Sequence, residues 1–386
     1  MGRRTSGDVM EYNDIYNLYM NYADKCKKMI RDTFFTMEDT DGISMKHYEG
    51  DSVSDIVKMH RLKMIDIKLE HTMRMIEQAI MINVKLGIEI NLDLVIRVAV
   101  LYHDIGRIKQ ATWANTYSDS IYKRMNRPYN NHGEEGYNIF INNDFGVDEK
   151  YIPIIAETIL HHQNHHTQSK LNYRFDKGLE NLRIDDVVTG NVLLNDAEWE
   201  IASLIVQLVA DIDKCDILYQ HLSDDFDMIR DYVYDRSNDS LDIVSTRWGV
   251  SKSEIIEFNK IDEANYEGRK VKVPIENMPL EKLEVPEYMK KMFYDNSWIE
   301  LNELIEDDRW HFISILWWRI SHFLNQISFT SILVNVEESK LLERIYEKVP
   351  VRLRPLVDEA FEYAKEVFVC DRIKQNEGKI YLKRNK

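Results

Sequence analysis

The chain has little that would staple, export or interrupt it. Its three cysteines, Cys26, Cys215 and Cys370, lie far apart among 386 residues. They imply no disulfide framework, and a reducing cytoplasm is the simplest setting. No apolar run reaches the ~18 residues a membrane span needs. Even LVIRVAVLY at 94–102 is broken by Arg97. The opening MGRRTSGDVMEYND has no apolar h-region, so neither an export signal nor a membrane partner is expected. Basic residues are in deficit, 50 Lys and Arg against 66 Asp and Glu, for a net charge of −16. A surface that acidic argues against a phosphate-tracking groove, and so against a long nucleic-acid partner. It leaves room for a small phosphorylated substrate in a locally basic pocket.

Proline (7) and glycine (14) are also sparse, which favours long helices on short connections. Hydrophobic residues make up 44% and charged residues 30%, a globular composition. The length suits two or three domains. Helical periodicity predicts a helix over 8–36 and a polar stretch at 37–52. A long helix over 55–85 should end at Gly87, which tolerates positive φ. Asn91 reads as the N-cap of a helix over 92–103, apolar on most sides and hence buried. Asn131 and Glu134 have capping-box spacing and should open a helix at His132. Pro153 suits the first turn of a helix ending near His162. A helix over 197–222 follows, then a mixed stretch to about 290, then helices over 297–325, 337–348 and 353–373.

The histidines are clustered. Seven of twelve lie between 71 and 166: His71, His103, His132, His161, His162, His165 and His166. Asp104 follows His103 directly. In VADIDKCDIL the aspartates Asp211, Asp213 and Asp216 interrupt an apolar helix. A carboxylate there is costly unless paired, hydrogen-bonded or metal-bound. At ~100° per residue Asp213 and Asp216 share a face, and Asp211 points nearly the opposite way. Imidazole and carboxylate together suit Mn, Fe, Ni, Co or Zn. Any one buried histidine is more often a core residue than a ligand, so the argument rests on the set.

The order H…HD…H…H…D resembles the HD-domain superfamily of metal-dependent phosphohydrolases. The residues that carry it are EHTMRMI at 70–76, LYHDIGRIKQ at 101–110, NHGEEGYNIF at 131–140, TILHHQN at 158–164 and VADIDKCDIL at 209–218. The resemblance implies a mainly α fold: an HD helical bundle over 53–235, an N-terminal helix and linker over 1–52, a small α/β insertion over 236–290 and a helical extension over 291–386. It implies that His71, His103, Asp104 and Asp213 hold one divalent ion, with Asp104 bridging to a second held by His132 and His162. Mg joins the ions named above as a candidate. Asp211 remains an alternative to Asp213, because Ile212 stands where the family usually has Ala. His161 remains an alternative to His162, and is otherwise a substrate contact. Arg107 matches a position where the family often has a phosphate-contacting Lys, and Lys109, Lys123, Arg124 and Arg127 are further basic candidates.

The implied reaction is hydrolysis of a phosphate ester in a nucleotide or similar small compound, with a hydroxide between the metals attacking phosphorus and Asp104 and Arg107 central to it. A di-iron oxygenase using the same ligands, a vestigial binding module and a nuclease are the rivals. An oligomer is compatible with all of these. Cys215 reads as a small buried apolar residue, His165 and His166 as loop residues, and the Trp-rich 309–329 as a core helix. Residues 239–274 resemble a LysM module, a small βααβ unit, through Asp239-Ser240-Leu241, Trp248-Gly249-Val250, Asn259 and Gly268.

Overall fold

A computed structural model describes residues 12–32, 43, 50–113, 131–163, 183–221, 232–235, 237–266, 268, 270–283, 341–349 and 351–364. These are mainly helical, with two short strands among them. The chain divides into two compact units, one built on the segment up to Asp216 and one on Ile217–Gln375.

The first unit is a helical bundle. Helix α1 (Tyr12–Asp32) packs on α2 (Val53–Leu86), α3 (Ile90–Tyr102) and α4 (Ile105–Trp113), burying Tyr19, Ala23, Cys26 and Ile30. Ser52 caps α2 by accepting from Asp55 N, and Gly87 ends it at φ 63°, where a side chain would be strained. Helix α3 is buried over Leu92, Val95, Ile96 and Val98–Tyr102. Each such aliphatic side chain contributes about 1.5–3 kcal/mol relative to exposure. Its cap is Glu89 rather than the expected Asn91. The Glu89 carboxylate reaches forward to Asn91 N at 3.2 Å and Leu92 N at 3.0 Å. It also accepts from Ile184 N at 3.2 Å, so a distant loop fixes which residue caps. The Asn91 amide is drawn instead to Asp185.

Helix α5 (His132–Ile141) is capped by Asn131, whose Oδ1 accepts from Glu134 N at 2.8 Å. Helix α6 (Ile152–His161) carries Pro153 in its first turn and packs on α3 and α5. Helix α4 packs on α5 at Gly106, where an added Cβ would sit 2.1 Å from His132 O. Helix α7 (Asp196–His221) completes the set. It buries Leu204, Leu208 and Cys215 along with Asp211, Asp213 and Asp216.

The second unit begins with β1 (Tyr232–Asp235), α8 (Leu241–Trp248), α9 (Lys252–Asn259) and β2 (Val271–Pro274). The strands pair antiparallel, Tyr232 opposite Pro274 and Asp235 opposite Val271. This is the βααβ order of the LysM resemblance. Strand β1 lies inside the 53–235 span and pairs with β2 beyond it. The Asn259 side chain donates to Lys272 O at 2.6 Å and accepts from Lys272 N at 2.9 Å, tying α9 to β2. Helices α10 (Leu341–Lys348) and α11 (Arg354–Ala364) follow. The Trp-rich 309–329, His165, His166, Lys123, Arg124, Arg127 and Cys370 lie outside the described residues. Among the described residues no helix is long and apolar enough to cross a membrane.

Candidate metal centre

Five helical segments converge on one buried point. Helix α2 contributes His71. The turn between α3 and α4 contributes His103 and Asp104. The first residue of α5 is His132, the C-cap of α6 is His162, and α7 contributes Asp213. All six side chains are buried.

They fall into two groups that share Asp104. In the first, His71 Nε2 lies 3.2 Å from Asp213 Oδ1 and 3.8 Å from Asp104 Oδ2. His103 Nε2 lies 3.5 Å from Asp104 Oδ2 and 3.8 Å from Asp213 Oδ1. In the second, His132 Nε2 and His162 Nε2 are 3.2 Å apart, and each is 3.7 Å from Asp104 Oδ1. The two oxygens of Asp104 thus face different groups. Donors about 2.1 Å from one ion at tetrahedral or octahedral angles sit roughly 3–3.5 Å from each other, close to these spacings.

The tautomers follow from the acceptors. His103 Nδ1 lies 2.7 Å from Val100 O, and His162 Nδ1 lies 2.7 Å from Ile159 O. His71 Nδ1 lies 2.6 Å from Asp216 Oδ2. A carbonyl or carboxylate oxygen can only accept, so each Nδ1 donates, and in the neutral ring each Nε2 keeps its lone pair for a metal. Those lone pairs point at carboxylate oxygens. The Nε2 atoms of His71 and His103 are buried with no hydrogen-bond partner. A buried acceptor facing acceptors is costly, and a cation resolves it. The residues therefore fit a divalent metal.

The local electrostatics agree. Burial opposes charge on Asp104, but the Lys68 ammonium, His103, His162 and His132 hold its carboxyl well below the usual range. Lys68 Nζ is 2.5 Å from Asp104 Oδ2. Burial likewise opposes charge on Asp213, and His103, His71 and Lys214 outweigh it. Burial pushes the His162 imidazole down. For His71, burial and Lys68 work against protonation, yet Asp213 and Asp216 raise its pKa. Burial lowers the Lys214 ammonium, whose Nζ is 3.8 Å from Asp213 Oδ2. Burial and the three aspartates of α7 hold the Cys215 thiol protonated, which disqualifies it as a nucleophile.

Arg107 lies at the rim, its Nε 3.7 Å from Asp104 Oδ1 and its Nη1 donating to Gln110 Oε1 at 3.0 Å. His161 is turned elsewhere, its Nε2 3.3 Å from Glu157 Oε2 and its ring beside Trp199. Asp211 is buried but joins neither donor group. Lys109 belongs to α4, and its side chain lies outside the described residues. The sequence reading missed Lys68, Lys214 as a site residue, and the pair Asp216 and Arg74. Lys68 carried a usable signal, one helical turn before His71 on the same face. Asn131 Oδ1, besides capping α5, accepts from Gln163 Nε2 at 2.6 Å.

The family model of the HD domain matches residues 69–218. Residues 69–218 are thus similar to the HD domain. The match begins two residues before His71 and ends two after Asp216, so it contains all six donors. HD domains bind divalent metals and are generally hydrolases, and the buried His and Asp groups here can hold such an ion. Comparison with curated proteins and with solved structures returned no match.

Proposed function

We infer that the protein is a metal-dependent phosphohydrolase acting on a small phosphorylated compound, a nucleotide being the leading class. The observation that carries this is the sharing of Asp104 between two donor groups, with Lys68, Arg107 and Lys214 set around the same carboxylates. Divalent ions held by these donors would acidify a water for attack on phosphorus and neutralise charge on the phosphoryl oxygens. Asp104 holds the two groups in register. Arg107 offers a planar fork of donors to phosphate oxygens at the rim. Lys68 and Lys214 supply fixed positive charge where the developing negative charge needs it, in a site that excludes bulk water. This local cluster of cations answers the acidic average of the whole chain. An anionic substrate fits it.

The test is a screen of the purified protein with Mn2+, Co2+, Ni2+, Fe2+, Mg2+ or Zn2+ against phosphomonoesters, nucleoside di- and triphosphates, and cyclic nucleotides. Phosphate or nucleotide release should depend on added metal. Asp104→Ala should abolish both turnover and metal retention while far-UV circular dichroism stays near wild type. Undiminished turnover in that variant, or oxygen uptake with iron and no phosphate release, would refute the reading.

A further inference from the structure

The three histidines whose tautomers are fixed are not held alike. His103 and His162 donate Nδ1–H to main-chain carbonyls three residues back. His71 donates to a carboxylate, Asp216 Oδ2, at 2.6 Å. Asp216 is fully buried, and both its oxygens are engaged. Arg74 grips it with two parallel bonds, Nε to Oδ1 at 2.8 Å and Nη2 to Oδ2 at 2.9 Å. Gln78 Nε2 reaches Oδ1 at 3.5 Å. Arg74 and Gln78 are one and two turns along α2 from His71, while Asp216 comes from α7.

We propose that Asp216, pinned by Arg74, is a positioning residue that sets the metal affinity of the first group, His71, His103, Asp104 and Asp213, independently of the second. The proposal rests on the two-group metal reading above. A carboxylate behind an imidazole fixes the ring's orientation and makes its Nε2 a stronger electron donor than a carbonyl does. Asp216 cannot be a ligand itself, because its oxygens are spent on His71 Nδ1 and the Arg74 fork. The fork has a second effect. It balances the charge of Asp216, so the buried carboxylate need not draw the proton fully from His71. In the second group, His162 Nδ1 donates to the Ile159 carbonyl instead. Asp216 therefore acts on the first group, through His71.

The experiment is a Co2+ titration of the full-length metal-free protein, followed by d–d absorption and equilibrium dialysis, which count ions and resolve two affinities. Asp216→Ala should weaken the first ion by about 10–100-fold, the usual effect of losing such a partner, and leave the second within about twofold. Asp216→Asn keeps an acceptor for His71 Nδ1 without the charge and should recover part of the loss. It also guards against an alanine variant that fails to fold. Arg74→Gln should weaken the same ion by a smaller factor and leave the other alone. Equal weakening of both ions, or wild-type affinities in a folded Asp216→Ala protein, would overturn the proposal. A wild-type chain that binds no Co2+ would overturn it together with the metal reading. Affinity is read apart from turnover, so absent phosphate release would count against the hydrolase reading alone.

Discussion

On the two-ion reading proposed above, replacing Gly106 by alanine should eject one ion and spare the other. An alanine Cβ at 106 would lie 2.1 Å from His132 O, 2.9 Å from His132 C and 3.0 Å from Gly136 N. Ordinary contact begins at 3.4 Å, so the shortest approach is 1.3 Å too close. The obstacle is main chain at the start of α5, with no rotamer that relieves it. Helix α5 must therefore recede by about 1 Å, and it takes His132 with it. Metal–ligand distances tolerate only about 0.2 Å, so the group of Asp104, His132 and His162 should lose its ion. His71 and Asp213 lie on α2 and α7, away from the clash. Alanine is the better helix former by about 1 kcal/mol, yet the overpacking costs about 1–3 kcal/mol or more, so the net effect is destabilising. Gly136 is the control. Its Cβ would meet Ile159 Cγ2 at 2.8 Å and Ile105 Cγ2 at 3.3 Å, side-chain rather than main-chain atoms, so the clash is milder. Co2+ stoichiometry should fall from two to one per chain in Gly106→Ala and stay at two in Gly136→Ala. Two ions bound with wild-type affinity in Gly106→Ala would refute the argument.

Three other perturbations are informative. Asp213 and Asp216 raise His71 above its ordinary value of 6.5 despite burial; in the metal-free protein the stability this contributes is complete below that value and is lost as pH rises through the raised one. An ion at Nε2 must replace the proton, so Co2+ affinity should climb as pH rises above the ordinary imidazole value, and a flat profile would contradict the assignment. Lys68→Met removes the ammonium 2.5 Å from the buried Asp104 carboxylate and should cost the metal-free protein up to about 3–5 kcal/mol in urea unfolding, with saturating Co2+ restoring much of it. Glu89→Ala removes the cap of α3 and the acceptor of Ile184 N together, a loss of about 2 kcal/mol; a loss below ~0.5 kcal/mol would show that water replaces it.

What was legible in the sequence was local. Gly87, Asn131 and Pro153 mark helix ends because each has a conformational or hydrogen-bonding reason to be there. The helical period puts Asp213 and Asp216 on one face, and both turn toward His71. What was not legible depends on pairs distant in the chain. Asp216 meets Arg74 across 142 residues, and no spacing rule joins them. Glu89 and Asn91 are both plausible caps by residue type. Ile184, 95 residues away, tips the balance. Lys68 looks like one more exposed helix lysine until α4 brings Asp104 beneath it.

Asn131 has a role beyond starting a helix. One lone pair of its Oδ1 takes the amide of Glu134 and the other takes the side chain of Gln163. Its neighbour in sequence is His132, and the neighbour of Gln163 is His162. A single oxygen thus acts as a gauge block behind two ligands, setting their separation from outside the site. Helix nucleation at 131 and the bite of the second donor pair are consequently one trait. A serine there would still start the helix but is too short to reach Gln163, so a replacement neutral in an ordinary cap would open the gauge.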